Sequence, residues 1–187
     1  VVVDNTQLMV FWGADPVVTN QIGWVIPDHG GYVGMKALKE KGTKVICIDP
    51  VKTDTCDYFG AEWIAPRPQT DVALMLGIAH TLVVEKLHDE KFLKEYTTGF
   101  DKFLPYLMGD ADKQPKSAEW AAEICEIPAD KIKELARLFA KNRTMLAAGW
   151  SLQRQHMGEQ RHWMLEIGRA PRLNSSHIPL SRMPSSA

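Results

Sequence analysis

The chain has 187 residues, 45% hydrophobic and 24% charged, which is ordinary globular usage and excludes collagen-like and wholly disordered classes. Lys and Arg number 22 against 23 Asp and Glu, a formal net charge of -1, so the charge balance points to no nucleic-acid partner. Three cysteines without C-x-x-C spacing exclude a disulfide framework, a zinc knuckle or an iron–sulfur cluster built from this chain alone, and no run of 18 apolar residues offers a membrane span.

The chain opens on Val1-Val2-Val3 rather than Met and shows no signal peptide, the expectation for a piece of a longer protein. Leu8 to Phe11 is an apolar run ending in a turn at Trp12-Gly13-Ala14-Asp15-Pro16, and predicts a strand. Tyr32 to Lys41 reads as a helix, with Met35 and Leu38 inside and Gly42 stopping it. A second strand runs from Thr43 to Ile48 and closes at Asp49-Pro50. Thr53 caps a short helix ending near Gly60, and Glu62-Trp63-Ile64 is a third strand.

Thr70 is an N-cap by type, with Asp71 at the positive end of the dipole of a helix that runs to Leu87. The apolar residues Val72, Met75, Ile78, Ala79, Leu82 and Val83 recur along it at helical spacing, so it should be heavily buried. Residues 89–125 predict short helices broken by Gly99, Pro105, Gly109 and Pro115, with Ser117 capping the last. Pro128 opens an amphipathic helix with Ile132, Leu135 and Phe139 inside. Thr144 to Ala148 is a fourth strand, ending at Gly149-Trp150-Ser151. From Glu166 onward Ser, Pro and Arg dominate without periodicity, and 166–187 is expected to be an unrelated, disordered or vector-derived tail.

Apolar strands alternating with helices predict an α/β fold: a Rossmann-like, doubly wound, mainly parallel sheet with helices on both faces, spanning residues 1–165 as one domain. In such sheets ligands bind beyond the carboxyl ends of the strands. The turns at Gly13-Ala14-Asp15, Asp49-Pro50 and Gly149-Trp150-Ser151 therefore belong to one edge.

No G-x-G-x-x-G or Walker motif is present, and Gly30-Gly31-Tyr32-Val33-Gly34 follows a Pro-Asp-His turn, which suits a loop or helix start. His80 reads as a core histidine, and His29 and His88 as loop or helix-end residues. Cys47, inside Val45-Ile46-Cys47-Ile48, reads as a small buried hydrophobe. Asp49 suits a ribose acceptor or a turn before Pro. Asp71 suits a helix start or a ligand acceptor, and Arg154 a phosphate partner or a solvated surface cation.

Four strings decide among these. They are Trp12-Gly13-Ala14-Asp15-Pro16-Val17-Val18-Thr19-Asn20-Gln21; Ile48-Asp49-Pro50-Val51-Lys52-Thr53-Asp54-Thr55; Ala65-Pro66-Arg67-Pro68-Gln69-Thr70-Asp71-Val72-Ala73-Leu74; and Gly149-Trp150-Ser151-Leu152-Gln153-Arg154-Gln155. Together, in order and up to about Leu165, they resemble the molybdopterin oxidoreductases of the dimethyl sulfoxide reductase family, and within it the trimethylamine-N-oxide reductase branch.

The resemblance implies a periplasmic enzyme of anaerobic respiration that binds molybdenum between two molybdopterin guanine dinucleotides and reduces N-oxides or S-oxides by oxygen-atom transfer. It implies that this piece holds the guanine-dinucleotide part of one pterin through Thr19, Asn20, Ile48, Asp49, Gln69, Thr70, Asp71, Trp150, Ser151 and Arg154. Asp71 then accepts from guanine N1–H and N2 and Asp49 from ribose, or the two acids exchange roles. Trp150 offers a flat wall, and Ser151 with Arg154 meets phosphate.

The family's serine ligand to molybdenum lies upstream of this region. Catalytic and metal residues are expected in the other domains of the parent enzyme, and this piece alone is expected to be inactive. Two other readings compete: a non-enzymatic nucleotide-binding or interaction module on the same scaffold, and a sugar-phosphate or amide-type enzyme on a similar sheet.

Overall fold

Residues 2–20 and 30–168 are described in this computed structural model. A helical turn, α1 (Val2–Asn5), leads into β1 (Leu8–Trp12), all five of whose residues are buried. Then follow α2 (Pro16–Thr19), α3 (Gly30–Glu40), β2 (Lys44–Ile48), α4 (Asp54–Phe59) and β3 (Glu62–Ile64). Five helices come next: α5 (Asp71–Val84), α6 (Glu90–Tyr96), α7 (Phe100–Met108), α8 (Ala118–Cys125) and α9 (Ala129–Lys141). The strand β4 (Thr144–Ala148), a 3-10 turn at Trp150–Leu152 and α10 (Glu159–Gly168) complete the described chain.

The four strands form one parallel sheet in the order β3-β2-β1-β4, with Leu8 opposite both Lys44 and Thr144, and Trp12 opposite both Ile48 and Ala148. The winding goes outward from β1 to β3, then crosses back to set β4 on the other side of β1. That reversal puts helices on both faces. Met9, Phe11, Val45 and Cys47 face Met35 of α3 with Cys56 and Phe59 of α4. Leu8, Val10, Trp12, Ile46 and Ile48 face the larger core built with α5, α8 and α9. A strand covered on both faces has no polar side to show, which is why β1 and β2 read as continuous apolar runs. The doubly wound α/β architecture expected from the sequence is the one found.

The helix α5 is the centre of the larger layer, and ten of its 14 residues are buried. Cys47 is buried between strand and helix, and burial, reinforced by the neighbouring Cys56 thiol, pushes its thiol up to about 12. It packs as a small hydrophobe. Burial likewise lowers the pKa of His80 on α5, against the opposing charge of Glu119.

Several local expectations need correction. Pro105 does not break a helix but lies inside α7, whose ends are set by left-handed Gly99 and Gly109. The buried Leu107, with Phe103 packed on the core, holds the segment helical across the missing hydrogen bond. Thr70 precedes α5 without capping it through its side chain, because its hydroxyl donates back to the Arg67 carbonyl at 2.6 Å. The caps at Thr53 and Ser117 form as expected, accepting from the Cys56 and Trp120 amides. The glycine run 30–34 opens α3, in line with the helix start expected there. The helix α10 runs to Gly168, while the turn containing His29 and residues 169–187 lie outside the described residues.

Gly77 is where α5 meets α8. A Cβ there would stand 2.7 Å from the Ala121 Cβ and 3.2 Å from Ile132 Cγ2. Alanine in a helix interior gains about 1 kcal/mol over glycine, but overpacking a core costs about 1–3 kcal/mol. Ala121 has no flexible end to move aside. Gly77→Ala is therefore expected to lower the thermal midpoint despite its better helix propensity, and Gly77→Ala with Ala121→Gly to restore most of it in the same melts.

Candidate functional site

The sheet order reverses between β1 and β4, so the crevice of this fold opens at the loops that leave those two strands. The strands β1, β4 and β2 are each tied to a neighbour one residue past their ends. The Gly13 amide donates to the Ile48 carbonyl, the Gly149 amide to the Trp12 carbonyl, and the Asp49 amide to the Ile64 carbonyl, at 2.9, 2.9 and 3.0 Å. The loops therefore rise from a common edge. At the switch point itself they touch. A Cβ on Gly149 would lie 1.9 Å from the Gly13 carbonyl oxygen, and the Ser151 hydroxyl donates to that same oxygen. Glycine is required on both sides, since Gly13 also has φ +55.

The loop after β1 is anchored by an acid that the sequence reading left inside a motif. Asp15 accepts from the Thr55 amide at 3.0 Å and the Thr55 hydroxyl at 2.6 Å, while the Val17 amide donates to that hydroxyl at 3.0 Å. This joins the loop to α4. Thr19, expected to meet cofactor, donates its hydroxyl to the Asp15 carbonyl at 2.9 Å, and Asn20 ends α2 beside the start of α3.

Ile48 is fully buried at the end of β2, so only its backbone is available to a ligand. Asp49, next to it, is half-buried, and its carboxylate accepts from the Val51 amide at 2.9 Å in a tight turn. Desolvation raises its pKa above the ordinary 3.8, that backbone hydrogen bond works against the rise, and the negative charges of Asp71 and Asp15 add to it. Three carboxylates thus share one edge.

Asp71 opens α5 and is only 5% exposed. One oxygen accepts from the Trp12 indole N–H at 2.9 Å, and the other from Arg161 Nε at 3.2 Å. The expectation that it accepts from guanine meets a carboxylate already engaged inside the protein. Gln69 holds a left-handed conformation, φ +70, and is exposed with its carbonyl bound by Arg161. Trp150, Ser151 and Arg154 lie exposed on the loop after β4. Among the described residues Arg154 has no ion-pair partner. The same residues contain no group of three or more His, Cys, Asp and Glu placed to hold a metal ion.

Asp15 could have been read from the sequence as an acid directly before a proline that starts a helix. Arg161 could not. It stands 90 residues from Asp71, in a stretch without a motif.

A parallel sheet with its acids and an exposed tryptophan loop gathered where the strand order reverses defines a doubly wound α/β domain. This chain belongs to the molybdopterin oxidoreductase family, whose model matches residues 1–166. It is 71% identical over 165 residues to the dimethyl sulfoxide/trimethylamine N-oxide reductase of Cereibacter sphaeroides, covering 88% of this chain and 20% of that protein. Against the trimethylamine-N-oxide reductase of Haemophilus influenzae identity is 51% over 164 residues, with the same coverages. Among solved structures, acetylene hydratase from Pelobacter acetylenicus superposes with a TM-score of 0.70 at 25% identity, over 90% of this chain and 22% of that one. The chain thus spans about a fifth of the length of these curated relatives.

The raised pKa of Asp49 has a sign that can be tested. Its folded-state value lies above the unfolded one, so protonation favours the fold, and the carboxylate costs stability once pH rises through the folded value. Asp49→Asn keeps an acceptor for the Val51 amide and removes the charge. It is expected to melt higher than wild type at pH 7, with the gap closing as pH falls toward 3.8. Thermal melts across that range check it, and a gap independent of pH contradicts the electrostatic cause.

Proposed function

We propose that this chain is the part of a molybdenum-dependent N-oxide or S-oxide reductase that holds the guanine-dinucleotide portion of a molybdopterin cofactor. The observation that carries the reading is the meeting of the loops after β1, β2 and β4, and the entry to α5, at one carboxyl edge. The family supplies the pterin, and the relatives' names supply the substrate class. The donor set fits a nucleotide. A half-buried carboxylate accepts from ribose hydroxyls or from guanine N1–H and N2, both of which are donors. The exposed indole of Trp150 offers a plane for ring packing, and Arg154, without an ion-pair partner among the described residues, offers a cation for phosphate.

In this reading Asp49 is the acid that meets the ligand, which exercises the exchange of roles open between the two acids. Asp71 holds the site from inside. Gln69 and Thr70 form the rim at the start of α5, Thr19 and Asn20 the rim after β1, and Ser151 fixes the close approach at the switch point. The bound cofactor supplies two-electron oxygen-atom transfer at molybdenum in the intact enzyme. The residues of this chain bind and orient its nucleotide end. They carry no assigned proton transfer. In this reading the parent enzyme works in the periplasm, in anaerobic respiration.

Adenine presents an acceptor at N1 where guanine presents a donor, so an acid facing that edge discriminates by a charge-assisted hydrogen bond of about 1.5–3 kcal/mol, or about ten- to a hundredfold in affinity. Titration of GDP and ADP followed by NMR is expected to show tighter GDP binding by that factor, weakened in Asp49→Asn. Equal affinity for the two nucleotides overturns the guanine assignment. With reduced viologen as donor, the chain alone is expected to reduce neither trimethylamine N-oxide nor dimethyl sulfoxide above a protein-free control.

A further inference from the structure

Arg161, on the first turn of α10, belongs to none of the four motifs, yet it is 3% exposed and touches two of them or their neighbours. Its Nε donates to the Asp71 carboxylate at 3.2 Å, and Nη2 to the Gln69 carbonyl at 2.9 Å. Nη1 donates to the carbonyls of His156 and Met157, at 3.0 and 3.2 Å. Four acceptors from two separate segments converge on one guanidinium.

The segments it holds are unfavourable ones. Gln69 at φ +70 and Met157 at φ +51 are both non-glycine residues in the left-handed region, a conformation kept only where surrounding contacts impose it. The loop also closes on itself, since a Cβ on Gly158 would stand 1.9 Å from the Gln153 carbonyl oxygen. At its near end the loop is fixed by the Gly149 amide on the Trp12 carbonyl and by the Ser151 hydroxyl on the Gly13 carbonyl. Its far end hangs on Arg161.

We propose that Arg161 is a positioning residue of the nucleotide site, setting the loop that carries Trp150, Ser151 and Arg154 against Gln69 and the start of α5. The inference rests on the nucleotide reading given above. Arginine is needed because its planar fork answers acceptors in several fixed directions, whereas an ammonium is a compact point charge with three donors. Asp71 supplies the countercharge, and through its second oxygen ties the assembly to Trp12 at the end of β1.

A plain buried ion pair makes a different forecast from a positioning residue. Replacing both charges by neutral groups of similar volume is often harmless to stability, so the pair Asp71→Asn with Arg161→Met separates the two roles. The full chain is used, with three readouts: the thermal midpoint, the rate of tryptic cleavage after the exposed Arg154 under native conditions, and the affinity for GDP. Cleavage in folded protein reports local opening of the loop.

The double variant is expected to melt close to wild type, to be cut after Arg154 about tenfold faster or more, and to bind GDP about tenfold more weakly. Arg161→Lys keeps the charge opposite Asp71 and so reads the same quantities if the double variant does not fold. Its cleavage rate and GDP affinity should fall between wild type and double variant. Cleavage after Arg154 at the wild-type rate in these variants overturns the assignment. So does loop opening that leaves GDP affinity unchanged. Loop opening in the variants together with no GDP binding by wild type supports the hold of Arg161 on the loop and overturns the nucleotide reading alone.

Discussion

Taking a carboxylate and a guanidinium out of water costs several kcal/mol for each ion, and Asp71 and Arg161 are both almost wholly buried at the end of the sheet. That cost is offset only because their hydrogen-bonding capacity is answered. Asp71 accepts from the guanidinium and from the Trp12 indole. Three more of the five N–H groups of Arg161 donate to backbone carbonyls. The pair therefore joins the last residue of β1, the first of α5 and the first turn of α10. The loop beyond β4 and the entry to α5 take their places from it.

The second constraint is steric. Between β1 and β4 the chain passes so closely that no side chain fits at Gly149, and the ladder continues one residue past the strands. A doubly wound sheet opens its crevice where the strand order reverses. Asp15, held by Thr55, fixes the β1 side of that crevice to α4. The close approach brings together loops more than a hundred residues apart in sequence.

Charge at this edge is a compromise between fold and function. Asp49 is held at a raised pKa by burial and by two neighbouring acids, a small standing cost to stability. An acid kept in such a place is useful to a ligand rich in hydroxyl and N–H donors, as a guanine nucleotide is. Asp71 resolves the same crowding differently, by pairing with Arg161. The two acids look alike in sequence and differ in what surrounds them.

The strands, most helices and their caps were legible in the sequence because their determinants are local. Apolar runs such as Leu8–Trp12 and Val45–Ile48 mark strands covered on both faces, and Thr53 and Ser117 bond amides three residues ahead. The Pro105 and Thr70 expectations failed where a longer-range contact won: the buried Leu107 side chain for one, the Arg67 carbonyl for the other. Four motifs in order were enough to identify the family, because spacing along the chain preserves what the fold brings together. Which acid faces outward was a different matter. The partner of Asp71 lies 90 residues away without a motif of its own. The burial of a charge depends on what packs over it, and only the tertiary structure decided that.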